Sequence, residues 1–326
     1  MAPTMKPPPN TVLAIFGPTA SGKSAVAEAV AERIPAEIVS ADSMQVYRGL
    51  PILTNQPSTP VRLTAIWELD DEASVGEYAE LAHAAIDEIL AAGKTPIVAG
   101  GTGLYLRAAL AELELPPPPE PGARHRFEQL YDSIGAEHAH ALLAERDPAA
   151  AQRIHPNDRR RVVRALELAE AGESLAPTHD RLWTGESRLP TVIVGLDVPK
   201  EVLEARIEER TRRMFERGVA DEVARALMKP LSTTAGKVIG LEEISTLPRE
   251  EAMEAVTRRT LRYAAYQRKW MRRVPGLVAL PAGGTPDAVS DELLAATRAQ
   301  IPLPGQQEDR PAGIRQGKAD QTGHAV

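Results

Sequence analysis

The chain has 326 residues, 43% of them hydrophobic and 25% charged, a composition that is ordinary for a globular protein and long enough for one large domain or two smaller ones. It contains no cysteine, which excludes disulfides, thiolate metal sites and cysteine nucleophiles and fits a reducing cytoplasm. The net charge of −7 argues weakly against nucleic acid, and no apolar run is long enough for a membrane span or a secretion signal.

Apolar runs and helical patterns alternate along the chain, beginning with the run at 11–16. The predicted strands lie at 11–16, 36–43, 95–101 and 191–198, and the predicted helices between the first three of them lie at 24–34 and 75–92. Near-continuous apolar strands that alternate with helices are typical of a parallel α/β sheet covered on both faces.

Composition divides the chain further. Residues 1–10 are rich in proline and residues 301–326 have almost no large apolar side chains, so we predict that both segments are disordered. Residues 121–189 show helical stretches and no strand pattern. We therefore predict an α/β core at 11–120 and 190–300, ending in helices, with a helical insertion at 121–189.

Residues 17–24 read GPTASGKS and match the motif G-x-x-x-x-G-K-[ST] between a predicted strand and a predicted helix. Its backbone N–H groups and the helix N-terminus suit phosphate oxygens. Lys23 supplies a positive charge for the distal phosphate, and the Ser24 hydroxyl is placed to ligate Mg²⁺. The predicted diphosphate site consists of Gly17, Pro18, Thr19, Ala20, Ser21, Gly22, Lys23 and Ser24. The motif predicts a di- or triphosphate ligand and leaves the reaction open.

Two other segments follow predicted strands and so face the same crevice. Asp42 comes at the end of the second strand, where it could be a magnesium ligand, a general base or a turn residue. The glycine-rich turn at 100–103 lets the backbone approach a ligand closely.

Arginine is concentrated in three segments, at 157–166, 206–218 and 258–273. The last of them has no acidic residue and includes Tyr263, Tyr266 and Trp270. Basic clusters with interleaved aromatic residues favour a polyanion such as RNA. The lid of a small-molecule kinase also uses arginines, and that alternative stays open.

Six motifs in this order resemble one family, the tRNA dimethylallyltransferases, also called tRNA isopentenyltransferases. They are GPTASGKS, ADSMQVYRG, GGTGLYLRAAL, DPAAAQRIHPNDRRRVVRALE, RIEERTRRMFERGVADEV and RYAAYQRKWMRR, within residues 11–275. The resemblance implies a P-loop NTPase-like parallel sheet with a helical insertion domain. It implies transfer of a dimethylallyl group from dimethylallyl diphosphate to the exocyclic N6 amine of the adenosine 3′ of the anticodon in tRNA, with release of diphosphate.

The resemblance also implies roles for individual residues. Thr19 would hydrogen-bond the leaving oxygen, Arg210 would lie near the diphosphate with Lys23, and Asp42 would accept the amine proton. The implied tRNA contacts are Asp42, Ser43, Met44, Gln45, Thr102, Arg124, Arg160, Arg161 and Arg164. We further predict Mg²⁺ as cofactor and a cytoplasmic, monomeric enzyme that contacts no membrane.

The chain departs from the family pattern at several places. The histidines that are common near 62–64 are absent, and Arg160 stands where glutamine is common. Leu53 and Gln56 stand where the family usually has glycine and lysine, and Leu241-Glu242 stands where a tyrosine and a basic residue or glutamine are frequent. Two alternatives therefore stay open beside prenyl transfer. One is a P-loop kinase of a small molecule or nucleoside, and the other is an RNA-binding NTPase, for which Asp197 is the nearest candidate acid.

Overall fold

The computed structural model describes residues 10–113, 120, 122–175 and 187–300, with the side chains of 298–300 excepted. The predicted disordered segments lie outside the described residues, apart from Asn10, as does most of the proline-rich stretch at 115–122.

A parallel sheet of five strands in the order β2-β3-β1-β4-β5 lies at the centre. The strands are β1 Val12–Phe16, β2 Ala36–Ser40, β3 Thr95–Gly100, β4 Thr191–Asp197 and β5 Val278–Pro281. All five residues of β1 are buried because helices cover both faces of the sheet, which explains its continuous apolar sequence. Phe16 pairs with Gly100 of β3 and Gly195 of β4, so the loop after β1 emerges at the middle of the carboxyl edge.

Helices make up most of the remaining described chain. They are α1 Lys23–Arg33, α2 Val75–Ala91, α3 Gly103–Leu110, α4 Ala123–Ile134, α5 Ala136–Arg146, α6 Pro148–Ala151, α7 Arg159–Glu170, α8 Lys200–Glu216, α9 Val219–Ala226, α10 Leu241–Thr246, α11 Arg249–Met271 and α12 Pro286–Gln300. Within the described ranges, none of these helices has the length and hydropathy that crossing a membrane requires.

Three apolar clusters hold the elements together. One joins the sheet to α2, α3 and the helices around α9, with Tyr78 and Leu106 fully buried. The second joins the opposite face to α1, α8 and α12, through residues such as Val26 and Leu293. The third lies within α4–α7 and includes Leu143. Helices α4–α7 therefore have an apolar core of their own beside the sheet.

Candidate active site

The motif at residues 17–24 forms a phosphate-binding loop, the P-loop, which connects β1 to α1. Lys23 and Ser24 are also the first residues of that helix. Ser21 donates its backbone N–H to the Pro18 carbonyl at 3.2 Å, and Gly22 has a φ of 93°. A left-handed conformation at this position favours glycine, which explains the second glycine of the motif. The loop therefore directs the first N–H groups of α1 toward the space in front of the sheet, where an anion is stabilised.

Two arginines of α8 reach the P-loop from the opposite side. Arg210 donates from Nη1 to Thr19 Oγ1 at 3.1 Å, and Arg206 donates from Nη1 to the Ala20 carbonyl at 3.5 Å. Lys23 donates from Nζ to the Pro18 carbonyl at 2.8 Å. The structure thus brings together Thr19, Lys23 and Arg210, as the resemblance implies, and adds Arg206.

These cations are partly desolvated, which changes their proton affinity. The pKa of Lys23 is lowered to about 8, mainly by burial and in part by Arg210, while the neighbouring Asp42 carboxylate opposes the change. Burial also lowers the pKa of Arg210, again opposed by Asp42. An anion bound between these two side chains would relieve their mutual repulsion.

This pKa predicts a pH-dependent affinity for diphosphates. Lys23 carries its charge below its pKa and loses it as the pH rises, so we expect the Kd of a monoalkyl diphosphate to increase about tenfold per pH unit above about 8. Calorimetric titration of isopentyl diphosphate, whose own ionisation is complete below that range, measures the effect. Lys23→Met should bind more weakly and with a flat profile, whereas Lys200→Met, on the exposed start of α8, should keep the parent profile. The same rise in Kd in Lys23→Met would exclude Lys23 as its source.

The loop after β2 presents Asp42 beside the P-loop. Asp42 Oδ1 accepts the backbone N–H of Met44 at 2.9 Å, which fixes the turn. Thr102 Oγ1 accepts the backbone N–H of Ser43 at 3.2 Å and lies 3.3 Å from the Tyr263 hydroxyl. Burial, together with the Asp42 carboxylate, raises the pKa of Tyr263 to about 12. Tyr263 therefore stays a neutral hydroxyl group facing the carboxylate.

Gln267 connects the P-loop to the turn after β3, and the sequence analysis did not identify it. Its side chain is 2% exposed, accepts the Thr19 N–H at 2.7 Å through Oε1 and donates to the Gly101 carbonyl at 2.8 Å through Nε2. Gln267 lies in the most basic segment of the sequence. An uncharged amide among arginines and lysines is the only local feature that could have indicated a buried side chain there. The two bonds fix the position of Thr19 relative to β3.

These elements surround a cavity of about 380 Å³. The polar part of its lining comes from the P-loop, the Asp42 loop and α8, and includes Thr19, Lys23, Ser24, Asp42, Gln45 and Arg210. The apolar part includes Leu53, Met214, Ile239 and Val256. Met44, Arg206 and Tyr263 also line it, so most of the predicted diphosphate contacts and several predicted tRNA contacts face one space.

The predicted tRNA contacts on the insertion lie on α4 and α7, and most of them have acidic partners. Arg124 and Arg164 both pair with Glu167, at 3.1 and 2.9 Å, and the Glu167 side chain is fully buried. Arg161 lies 3.5 Å from Asp158. Arg160 is exposed and makes no hydrogen bond or ion pair within the described part of the chain. Arg124 and Arg164 therefore share one carboxylate, which neutralises one of their two positive charges.

Arg160 is close enough to residues of the core to act on them electrostatically, and one of these residues is a second cation. Lys237, in the 3₁₀ turn before α10, has a pKa lowered first by burial and then by Arg160, with Glu72 opposing and Arg124 adding to the decrease. Lys237 was not among the predicted site residues, because it is a single lysine in an otherwise uncharged segment.

A phosphate-binding loop at the carboxyl edge of the central strand of a parallel sheet defines the P-loop NTPase-like class of α/β proteins. Residues 45–274 match the family model described as IPP transferase, and residues 10–63 match one described as isopentenyl transferase. The chain belongs to the tRNA dimethylallyltransferase family.

Individual relatives agree with this assignment. The chain is 41% identical to the tRNA dimethylallyltransferase of Thermobifida fusca, over 83% of this chain and 90% of that protein. It is 38% identical to that of Streptomyces coelicolor, over 91% and 98% of the two chains. The solved tRNA isopentenylpyrophosphate transferase of Bacillus halodurans aligns with a TM-score of 0.64 at 30% identity, covering 88% of this chain and 96% of its own.

A eukaryotic dimethylallyltransferase acting on tRNA aligns with a TM-score of 0.69 at 25% identity, over 89% of this chain and 77% of that one. These findings confirm the predicted fold and family and favour prenyl transfer over the kinase alternative. The chain is a prenyltransferase. The roles of its individual site residues stay predictions.

Proposed function

We propose that this enzyme transfers the dimethylallyl group of dimethylallyl diphosphate to the exocyclic N6 amine of the adenosine 3′ of the anticodon in tRNA and releases diphosphate. The supporting observation is that one cavity has both the cationic P-loop and the Asp42 carboxylate in its lining. A leaving-group site and a candidate base next to each other suit substitution at an allylic carbon.

The P-loop side of the cavity stabilises the leaving group. When the allylic C–O bond breaks, its electron pair goes to the diphosphate, whose negative charge increases. Lys23, Arg210 and the Thr19 hydroxyl face this charge in a partly desolvated site, where electrostatic stabilisation is most effective. No phosphoryl group moves.

Asp42 acts as the base. One carboxylate oxygen, Oδ1, accepts the Met44 N–H, and the other has no hydrogen-bond partner among the described residues. The second oxygen is therefore available to the adenine amine. As the new N–C bond forms, the amine proton passes to Asp42, which assists a weak aromatic nucleophile.

Ser24 would hold a magnesium ion together with the substrate. No group of three or more histidine and acidic side chains able to bind a metal occurs among the described residues, so the protein alone offers few ligands. This fits Mg²⁺, which keeps several waters and takes substrate phosphate oxygens beside one or two protein oxygens. When bound there, the ion would neutralise diphosphate charge.

The adenine has to leave its stack to reach Asp42, and the residues around the cavity would receive it. Ser43, Met44, Gln45 and Thr102 lie next to Asp42, while Arg124, Arg160, Arg161 and Arg164 on the insertion would contact phosphates of the anticodon stem. The proposal includes a monomeric enzyme and a cytoplasmic reaction.

One assay separates this proposal from its alternatives. The protein is incubated with tRNA and labelled dimethylallyl diphosphate, and in parallel with ATP and nucleosides. We expect label in RNA, at the nucleoside 3′ of the anticodon when the product is digested and analysed by mass spectrometry. In the parallel reaction, transfer of phosphate from ATP to a nucleoside or another small molecule would indicate a kinase. Release of free phosphate from ATP would indicate an NTPase.

The salt dependence of tRNA binding tests the role of the insertion. Each arginine that neutralises a phosphate contributes about one unit to the slope of log affinity against log salt concentration. We expect Arg160→Ala to lower the slope by about one unit, and Arg164→Ala by less, because Glu167, which Arg164 shares with Arg124, offsets part of its charge. Replacing both residues should weaken binding further and leave the affinity for dimethylallyl diphosphate unchanged.

Filter binding over a salt series measures these slopes, with Lys200→Ala as the control on the exposed start of α8. An unchanged slope in the double variant would mean that the insertion does not bind tRNA through these residues.

A further inference from the structure

Helices α8 and α11 both line the cavity. On each of them, the cavity-lining side chains near the P-loop are polar and those further from it are apolar. On α8, Arg206, Arg210 and Met214 follow at intervals of one turn, and the two arginines contact the P-loop. Met214 therefore lies about 6 Å further along the helix than Arg210, at a rise of about 1.5 Å per residue.

Helix α11 runs antiparallel to α8 and repeats this gradient. Gln267 binds the P-loop and Tyr263 faces Asp42, whereas Val256, two turns further from Tyr263, lines the apolar part of the cavity. Arg249, at the start of α11, lies over the Phe215 ring near the end of α8 at 5.4 Å. The ends of both helices that are distant from the P-loop thus meet at the apolar end of the cavity.

Leu53 closes this end. It is 4% exposed and packs on the backbone of Gly240, where a Cβ would lie 2.6 Å from Leu53 Cδ1 and 3.6 Å from Val256 Cγ2. A larger residue at position 240 would collide with Leu53, so the close approach requires glycine. Leu53 and Val256 both line the cavity and lie on either side of Gly240, and together they form the wall of this end.

Glu222 fixes the backbone of this wall. Its buried carboxylate accepts the N–H of Ile52 at 2.9 Å and that of Leu53 at 2.8 Å, from helix α9. Breaking such a contact leaves buried polar groups without partners, so the segment has little freedom to retreat from a larger ligand.

We propose that Leu53 sets the upper limit on the length of the prenyl diphosphate that the enzyme accepts. The inference rests on the proposed function. With the diphosphate between Lys23 and Arg210, a dimethylallyl group extends about one helical turn toward Met214. A geranyl group is one isoprene unit longer and requires the space that the Leu53 side chain fills.

The test compares geranyl and dimethylallyl diphosphates as donors to tRNA in the parent and in Leu53→Ala. A hydrophobic pocket discriminates by about 10- to 200-fold per methylene, so we expect the geranyl-to-dimethylallyl ratio of kcat/KM to rise about tenfold or more. Leu293→Ala, on the buried face of α12, is the matched control and should keep the parent ratio. A ratio in folded Leu53→Ala that equals the parent ratio overturns the proposal.

Two further variants and a binding measurement test whether Leu53 contacts the prenyl group or the nucleobase. Leu53→Val should raise the ratio less than Leu53→Ala, and Leu53→Phe should raise the KM of dimethylallyl diphosphate without changing the KM of tRNA. A raised KM of tRNA instead would place Leu53 beside the nucleobase and contradict the proposal. Unreactive thiolodiphosphate analogues, titrated without tRNA, should show the same change in preference. If the parent transfers no prenyl group to tRNA, the proposed function fails, while the analogues still decide the role of Leu53.

Discussion

We expect Lys23→Ala to lower the single-turnover rate of dimethylallyl transfer by about 10²–10³-fold, the loss typical when one preorganised group that stabilises developing negative charge is removed. Lys23 lies at the start of α1, where the helix N-terminus and Arg210 add to its field. The allylic C–O bond breaks heterolytically, so the charge that Lys23 faces increases in the transition state. The effect should therefore be larger on the rate than on diphosphate affinity.

Conservative variants separate charge from geometry. Lys23→Arg keeps the charge but is a larger, planar group in a buried site, so we expect partial activity. Ser24→Ala should raise the magnesium concentration that half-maximal activity requires, with a smaller loss at saturating metal. Lys200→Ala on the same protein should behave as the parent, since Lys200 pairs with Glu204 at the surface. Rapid-quench measurement of a single turnover gives these rates, and an unchanged rate in Lys23→Ala would show that the P-loop does not bind the leaving group.

The sequence predicted those parts of the fold whose signals are local. The P-loop motif and the apolar runs of β1 to β4 depend on neighbouring residues, and the structure confirms them. Strand β5 was not predicted because it has four residues at the sheet edge, only one of them buried. Helix α12 was also missed, although Val289 and Leu293 have helical spacing and pack in the cluster that includes α1.

Long-range contacts limited the prediction of the site. Asp42, Thr102 and Tyr263 come from three separate segments, and only the parallel sheet and α11 bring them together. The buried position of Gln267 depends on the packing of α11 against two loops, which no local pattern encodes.

The arginines of the insertion illustrate a related limit. The run of arginines in the sequence indicates a positively charged surface. The positive charge available to a ligand, however, depends on the acidic residues that pair with these arginines. Glu167 is three residues from Arg164 on α7 but is buried and also binds Arg124 of α4. Arg160, one turn earlier, lies free of such a partner within the described chain. Counting arginines therefore overestimates the phosphate contacts available to tRNA.

Asp42→Asn should lower turnover by about 10²–10⁴-fold, the range that general-base catalysis contributes. Asparagine has nearly the same shape as aspartate, and its carbonyl oxygen can still accept the Met44 N–H that holds the turn. Its amide nitrogen then occupies the position of the second carboxylate oxygen. A hydrogen-bond acceptor for the adenine amine becomes a donor, so the amine proton has no base, while tRNA affinity and the melting temperature should stay near those of the parent.

Asp197→Asn is the matched control, because Asp197 also follows a strand of the central sheet but is largely exposed, with Arg268 at 3.5 Å. If Asp42 is the base for prenyl transfer, Asp197→Asn should turn over at the parent rate. If the chain instead hydrolysed ATP with Asp197 as the catalytic acid, Asp197→Asn would lose activity and Asp42→Asn would keep it. Single-turnover rates with saturating tRNA and dimethylallyl diphosphate, beside filter binding for tRNA, compare the two variants directly. If Asp42→Asn reacts at the parent rate, the amine proton leaves without help from Asp42. Tyr263 does not replace Asp42, because its raised pKa keeps the hydroxyl group protonated and leaves no phenolate to accept the proton.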